Sequence, residues 1–285
     1  MTFLLVSDLD GTLLTSAKAV GQRTVGVLNR FIAAGGLFSV ATARMAYGCD
    51  RLLAAVDLDL PGIVMNGAAM YDFRTGTYQD VRPMPAEAVG AAAAEVARAG
   101  VGAFVYGVRD GRMRLGYTRA DDLAWTQYNS ARAQETLSEL ECVGPDNWQR
   151  LGDIIYLAVV GDDAGLARTT GGLDDVAGLV AHPYRNIYTG HDCLEYSSPE
   201  AGKEAAVLRL KERIGADRLV VFGDNRNDLG MMRLADHSLA PATSVPEALA
   251  IADEVIASND EDGVGRAIEA HWDGWTAGVV GRIDD

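Results

Sequence analysis

Apolar runs of strand length alternate, over the first third of the chain, with longer stretches whose apolar positions recur at helical spacing. Phe3 to Ser7 is almost wholly apolar and stops at Asp8-Leu9-Asp10-Gly11-Thr12, the profile of a buried parallel strand that ends in a polar loop. Ser16 is placed to cap the next helix, whose apolar face takes Val20, Val25, Leu28, Phe31 and Ile32 and which ends at Ala33-Ala34-Gly35-Gly36. Leu37 to Thr42 reads as a second strand, Ala46 to Val56 falls in a second helix, and Gly62-Ile63-Val64-Met65 reads as a third strand. This strand-helix alternation predicts the α/β class, with a doubly wound parallel sheet.

The rhythm changes after Asn66-Gly67. Ala69 to Tyr71 and Thr77 to Asp80 flank Arg74-Thr75-Gly76 as a hairpin, and Pro83 and Pro85 mark a boundary. Beyond it the pattern predicts helices at Pro85 to Ala99, Ala131 to Leu140 and Ala164 to Leu173. Strands are expected at Gly102 to Tyr106, Met113 to Tyr117, Ile154 to Val160, near Leu179 and at Asn186 to Tyr188. The first pattern resumes at Lys203, with a helix at Ala205 to Ile214 and the buried strand Arg218 to Phe222 leading into Gly223-Asp224-Asn225-Arg226-Asn227-Asp228. A helix through Met231 and Leu234, a strand at Ser238 to Ala240, a helix at Val245 to Ala250 and a strand at Val255-Ile256 extend the sheet. The expected organisation is a discontinuous core, residues 1–82 and 197–285, around an inserted α+β domain at 83–196.

Composition sharpens this picture. With 285 residues, two domains are expected, and 48% hydrophobic residues supply sizeable cores. The net charge of -15 disfavours nucleic acid as a partner but not a small anion, because one metal ion and a few cations reverse the local field. Cys49, Cys142 and Cys193 are widely separated, and His182, His191, His237 and His271 complete no recognisable zinc pattern in the sequence. No run approaches the roughly 18 apolar residues of a membrane span, and the start lacks a basic leader, so a cytoplasmic protein is expected. Trp125, Trp148, Trp272 and Trp275 are expected to pack rather than to stack on a sugar. Nothing in the sequence fixes the oligomeric state.

The candidate chemistry sits at two strand ends. Asp8 and Asp10, two positions apart, can address one side of the chain, and Asp224 and Asp228 follow a second strong strand. Ligands collect at such C-terminal edges. Four carboxylates converge there only if something offsets their repulsion, and a hard divalent cation with oxygen ligands does this most simply. The alternative, each Asp capping its own helix, does not account for two such clusters together.

These motifs resemble the haloacid-dehalogenase-like superfamily, and within it the Cof-like phosphatases with a large α/β cap. Asp8-Leu9-Asp10-Gly11-Thr12 matches the first motif, Val40-Ala41-Thr42-Ala43-Arg44 the second, Lys203 in Ala201-Gly202-Lys203-Glu204 the third, and Gly223 to Asp228 the last. Ala43 stands where the family commonly has Gly. Asn66-Gly67 and Ser258 to Val264 are also similar to the subfamily. The resemblance implies a Mg2+-dependent phosphatase acting on a small phosphorylated metabolite, with sugar or polyol phosphates favoured, through a phospho-aspartate. In that scheme Asp8 is the nucleophile and Asp10 the general acid and base, a role that requires a raised proton affinity. The metal is held by the Asp8 side chain, the Asp10 carbonyl, Asp224 and Asp228, while Thr42, Lys203 and Asn227 hold phosphate oxygens. Arg44 is read either as a phosphate or substrate contact or as a salt-bridge partner. Asn66, with Gly67, is read either as a substrate contact or as a support of the nucleophile loop. Arg185 and His182 are outlying candidates for the substrate side. A phosphomutase with the same aspartyl chemistry and a non-catalytic binding module are the competing readings.

Overall fold

The computed structural model describes residues 1–119, 140–160, 163–185 and 192–276. They form two compact units, Met1–Gly76 with Gly202–Asp285, and Thr77–Ala201. The helix expected before Leu140 and the strand at Asn186–Tyr188 lie outside the described residues, as do Trp125, His191 and the side chains of Arg185 and Cys193.

The chain enters through β1 (Phe3–Ser7), α1 (Gln22–Ala33), β2 (Leu37–Val40), α2 (Ala46–Leu53), β3 (Gly62–Val64) and β4 (Ala69–Asp72). In the second unit follow β5 (Thr77–Gln79), α3 (Ala86–Ala99), β6 (Gly102–Arg109), β7 (Arg112–Tyr117), β8 (Leu140–Cys142), β9 (Asp153–Val160), α4 (Asp163–Asp174), β10 (Val180–Arg185) and β11 (Asp192–Ser197). The first unit is completed by α5 (Lys203–Ile214), β12 (Arg218–Phe222), α6 (Leu229–Leu234), β13 (His237–Pro241), α7 (Pro246–Ile251), β14 (Glu254–Ile256), α8 (Gly263–Ala270) and α9 (Trp272–Thr276).

The first unit is built on a parallel sheet of order β14-β13-β12-β1-β2. Strand periodicity divides its apolar residues between two cores. Leu5, Val220 and Phe222 join Leu28 and Phe31 of α1 and Ile268 of α8, whereas Leu4, Val6 and Val221 join Val207 and Leu210 of α5 and Met231 of α6. Burying each of these large side chains stabilises the unit by about 1.5–3 kcal/mol. β1 and β12 are neighbours, but the chain leaves them in opposite directions, towards β2 and towards β13. Their C-terminal ends therefore form the switch point of the sheet.

Three expectations need correction. The third strand does not extend the parallel sheet as a full member: Ile63 makes one parallel bridge to Ala41, and β3 pairs antiparallel with β4. The chain turns back because Met65, Asn66 and Gly67 all adopt positive φ (50°, 52° and 88°). Ser16 does not cap α1, whose N-cap is Gly21; its backbone N–H and hydroxyl both donate to Asp260, each at 2.7 Å. Leu140, expected to end a helix, opens β8.

The second unit carries a mixed sheet of order β10-β11-β9-β6-β7-β8, antiparallel except for β7 with β8. Val89, Ala92 and Val96 of α3 and Leu166 and Leu173 of α4 share its core with Val105, Leu157 and Tyr196. Trp148 is buried in this core, and Trp272 and Trp275 pack into the first unit, as expected of packing residues.

Candidate active site

Asp8 follows β1 directly, and its backbone N–H donates to the carbonyl of Phe222 at the end of β12 (2.9 Å). The sheet thus fixes the nucleophile candidate at the switch point. From the loop after β12, Asp224 and Asp228 approach it, and the three carboxylates offer oxygens within 4.8 Å of one another. Asp228 is wholly buried and works on both sides. Its Oδ2 accepts from the backbone N–H groups of Asp224 (3.1 Å) and Asn225 (3.0 Å), shaping the loop, while its Oδ1 accepts from Lys203 Nζ (2.7 Å). Lys203 Nζ also donates to Asp8 Oδ1 (2.6 Å).

Lys203 is the first residue of α5, where a helix dipole disfavours a cation. Its two carboxylate partners reverse that preference. Burial alone would lower its pKa, but Asp228 and Asp8 shift it upward, so the ammonium persists. Burial raises Asp8 well above the usual carboxylate range; Lys203 opposes this, and Asp228 and Asp224 add to it. Burial likewise raises Asp224 to about 6, against a hydrogen bond from Thr12 Oγ1 (2.6 Å) and with Asp228 adding to the rise. Three carboxylates facing one ammonium leave negative charge uncompensated. An all-oxygen donor set with that excess fits a hard divalent cation.

The side chain of Asp10 does not complete a carboxylate quartet. Arg44 grips it through Nε (2.5 Å) and Nη2 (2.7 Å), and Lys18 Nζ donates to it at 2.8 Å. Burial pushes this carboxyl upward, but the Arg44 and Lys18 bonds outweigh it and hold Asp10 at about 2. The sequence-based expectation of a raised proton affinity is therefore reversed in this state. Arg44 makes a salt bridge to Asp10 here, one of its two readings.

Thr42 is buried at the end of β2, where its Oγ1 accepts from the Arg44 N–H (3.1 Å) and its carbonyl from the Asn66 N–H (3.0 Å). Asn66 Oδ1 accepts from Asn227 Nδ2 at 3.2 Å, joining the loops after β3 and β12. Gly67 lies against backbone: a Cβ there would stand 2.3 Å from the Gly202 carbonyl oxygen, one residue before Lys203. Gly67 thus sets the entry of α5 and with it the height of the lysine. Gly67→Ala combines this clash with a φ of +88°. It should lower unfolding stability by about 1–3 kcal/mol and cut activity with it, as read from denaturant unfolding beside an activity assay.

Two contributors carry no assigned role in the sequence reading. Thr12, quoted within the first motif, orients Asp224; Lys18, which no motif marks, pairs with Asp10. Gly11, with φ of +84°, leaves room for Asp224, whose Oδ2 would lie 2.4 Å from an added Cβ. His182 Nε2 is 2.8 Å from Ser197 Oγ, and its ring stacks parallel to Tyr156 within the second unit.

The family model of the haloacid dehalogenase-like hydrolases matches residues 5–268. The chain belongs to that family. Among curated members, it is 24% identical to the pyridoxal phosphate phosphatase YbhA of Escherichia coli, over 95% of this chain and 98% of the relative. It is 26% identical to the 5-amino-6-(5-phospho-D-ribitylamino)uracil phosphatase YwtE of Bacillus subtilis, over 92% and 95% of the two chains. A haloacid dehalogenase-like hydrolase from Bacteroides thetaiotaomicron shares the fold with a TM-score of 0.75 at 22% identity, covering 95% of this chain and 99% of that one. Like these two curated relatives, the chain is a phosphatase. Among the described residues, no helix is long and apolar enough to cross a membrane.

Proposed function

We propose that this phosphatase is a Mg2+-dependent phosphomonoester hydrolase that forms a phospho-aspartate at Asp8 and acts on a small sugar or polyol phosphate. The observation carrying this reading is the group of buried Asp8, Asp228 and Lys203 with half-buried Asp224 at the switch point. The Asp8 and Asp224 side chains, with Asp228 and the Asp10 carbonyl, are the proposed metal ligands. Bound magnesium would supply positive charge to the phosphoryl oxygens in the transition state.

Lys203 holds Asp8 Oδ1, which aims the carboxylate and leaves Oδ2 to attack phosphorus. As the Asp8–phosphorus bond forms, the bond to the leaving oxygen breaks, and Asp10 gives that oxygen a proton. Asp10 then takes a proton from water, which attacks phosphorus and frees inorganic phosphate and the Asp8 carboxylate. In the structure Asp10 is held as the carboxylate, the form needed for the second step. For the first step Asp10 must take a proton from solvent, which requires both Arg44 and Lys18 to release it, and an arriving phosphate is the anion that draws these cations away. Thr42, Lys203 and Asn227 are assigned to the non-bridging oxygens, and Asn66 with Gly67 to the loop beside them.

The unit Thr77–Ala201, inserted between the two halves of the core, is assigned the choice of leaving group. A phosphorylated ribityl chain is part of the substrate named for the Bacillus relative, which supports a polyol phosphate here. A phosphate-release screen over phosphorylated metabolites tests both levels of the proposal. Chelation should reduce turnover of the preferred compound by on the order of a hundredfold or more, and added magnesium should restore it. Full turnover after complete chelation contradicts the metal role. Phosphate release only with a bisphosphate activator would instead mark a mutase.

A further inference from the structure

We propose that His237, Glu254 and His271 form a second divalent-metal site, suited to zinc rather than magnesium. The three residues come from separate elements of the first unit. His237 opens β13, Glu254 opens β14, and His271 follows α8. Because β13 and β14 run parallel with Leu239 opposite Glu254, His237 lies two positions before Leu239 and on the same face of the sheet. That face packs against α1 and α8, and α8 delivers His271 to it. These are the N-terminal ends of the strands, whereas Asp8 and Asp224 follow the C-terminal ends of β1 and β12. The two metal sites are thus on opposite edges of one sheet.

Both imidazoles present the same atom, Nε2, to the same carboxylate oxygen. His271 Nε2 lies 2.8 Å and His237 Nε2 3.5 Å from Glu254 Oε2. A tetrahedral ion with bonds of about 2.0–2.1 Å holds its ligand atoms roughly 3.3 Å apart, so the observed spacings bracket the required one. The ligand atoms of all three residues fall within 4.8 Å of one another. Among the described ion pairs, Glu254 has the two histidines and no Lys or Arg. A carboxylate left with two imidazoles is a ready ligand for a cation.

The rings are also held in place. Trp275, itself buried, stacks on His271 with centroids 4.7 Å apart and planes at 24°, and His237 meets His271 edge to face at 5.3 Å. Side-chain exposures of 27% for His237, 35% for His271 and 37% for Glu254 leave solvent access for a water as fourth ligand. Two nitrogen donors and one oxygen donor favour zinc and its neighbours over magnesium, which prefers an all-oxygen shell. The ion would clip the sheet edge to the helices that end the core. Without metal, His271 Nε2 and Glu254 Oε2 make a hydrogen bond of 2.8 Å.

The experiment titrates zinc into the full chain after chelator treatment, with cobalt as a spectroscopic substitute. One set of variants carries Glu254→Gln or His237→Gln, which keep side-chain size and hydrogen bonding. Another carries Asp224→Asn at the carboxylate cluster, and circular dichroism confirms that each is folded. The expected result is one zinc per chain that persists in the Asp224→Asn protein and in excess magnesium. Affinity should fall at least tenfold in each of the Gln variants, and the tetrahedral cobalt absorption should vanish with it. Zinc should raise the melting temperature of the unmodified chain and leave that of Glu254→Gln unchanged. Absence of zinc binding, zinc affinity equal in the unmodified and Gln proteins, or loss of the zinc in Asp224→Asn would each overturn the assignment.

Discussion

Asp8→Asn should abolish turnover, with a loss of about 10^4-fold or more, while leaving the protein folded. The amide keeps the size of the carboxylate and an oxygen that still accepts from Lys203, so the local packing persists. It lacks the anionic oxygen that bonds to phosphorus, so no covalent phosphoryl group should form. Asp10→Asn separates the two aspartates. It leaves the nucleophile intact but removes the group that protonates the leaving oxygen and later activates water. With a substrate whose leaving group needs little protonation, Asp10→Asn should accumulate phosphate on Asp8. Rapid acid quench and intact-mass measurement read this directly. Phosphate mapped to Asp10 in the unmodified protein, or found on the Asp8→Asn chain, would reverse the assignment.

Lys203→Met should be the most destabilising single change in the core, because it removes the cation shared by two buried carboxylates. Breaking a buried charge network from one side costs about 3–5 kcal/mol, since the remaining charge is left without compensation. Methionine fills nearly the same volume, so the loss reports charge rather than a cavity. The effect should be largest in chelator and should shrink in millimolar magnesium, where a bound cation replaces part of the missing charge. Denaturant unfolding in the two conditions measures it. A loss below about 1 kcal/mol in chelator would show that the carboxylates do not depend on the lysine. A loss unaffected by magnesium would count against metal binding at this cluster.

Much of the core was legible because its strands are buried on both faces. β1 and β12 are continuous apolar runs, and each stops at the acidic loop that the fold places at the switch point. Elements whose identity depends on distant partners were not legible. β11 offers two inward apolar side chains, Leu194 and Tyr196, separated by Glu195, too little for periodicity to register. α8 begins Gly-Val-Gly, a poor helix start by propensity, yet Gly265 is required where a Cβ would stand 2.8 Å from Thr24 Oγ1 of α1. Ser16 carries the chemistry of a cap but is taken by Asp260, 244 residues away in sequence. The pairing of Asp10 with Lys18 and Arg44, and the meeting of His237, Glu254 and His271, have the same cause: each joins side chains that no local spacing connects.

The position of β1 also constrains how the chain acquires this structure. The strand that comes first in the chain order of this sheet sits inside it, between β2 and β12, and its register with β12 joins Phe3 to Arg218. During synthesis, β1 has β2 on one side and an open edge on the other until more than two hundred residues have followed. The unit Thr77–Ala201 is continuous in sequence, so its own sheet can close while that edge still waits. Pairing across so long a separation is slow, and an unpaired apolar edge is where strands of other chains add. The arrangement that brings Asp8 to Asp224 thus makes the nascent chain, rather than the finished one, the form most exposed to aggregation.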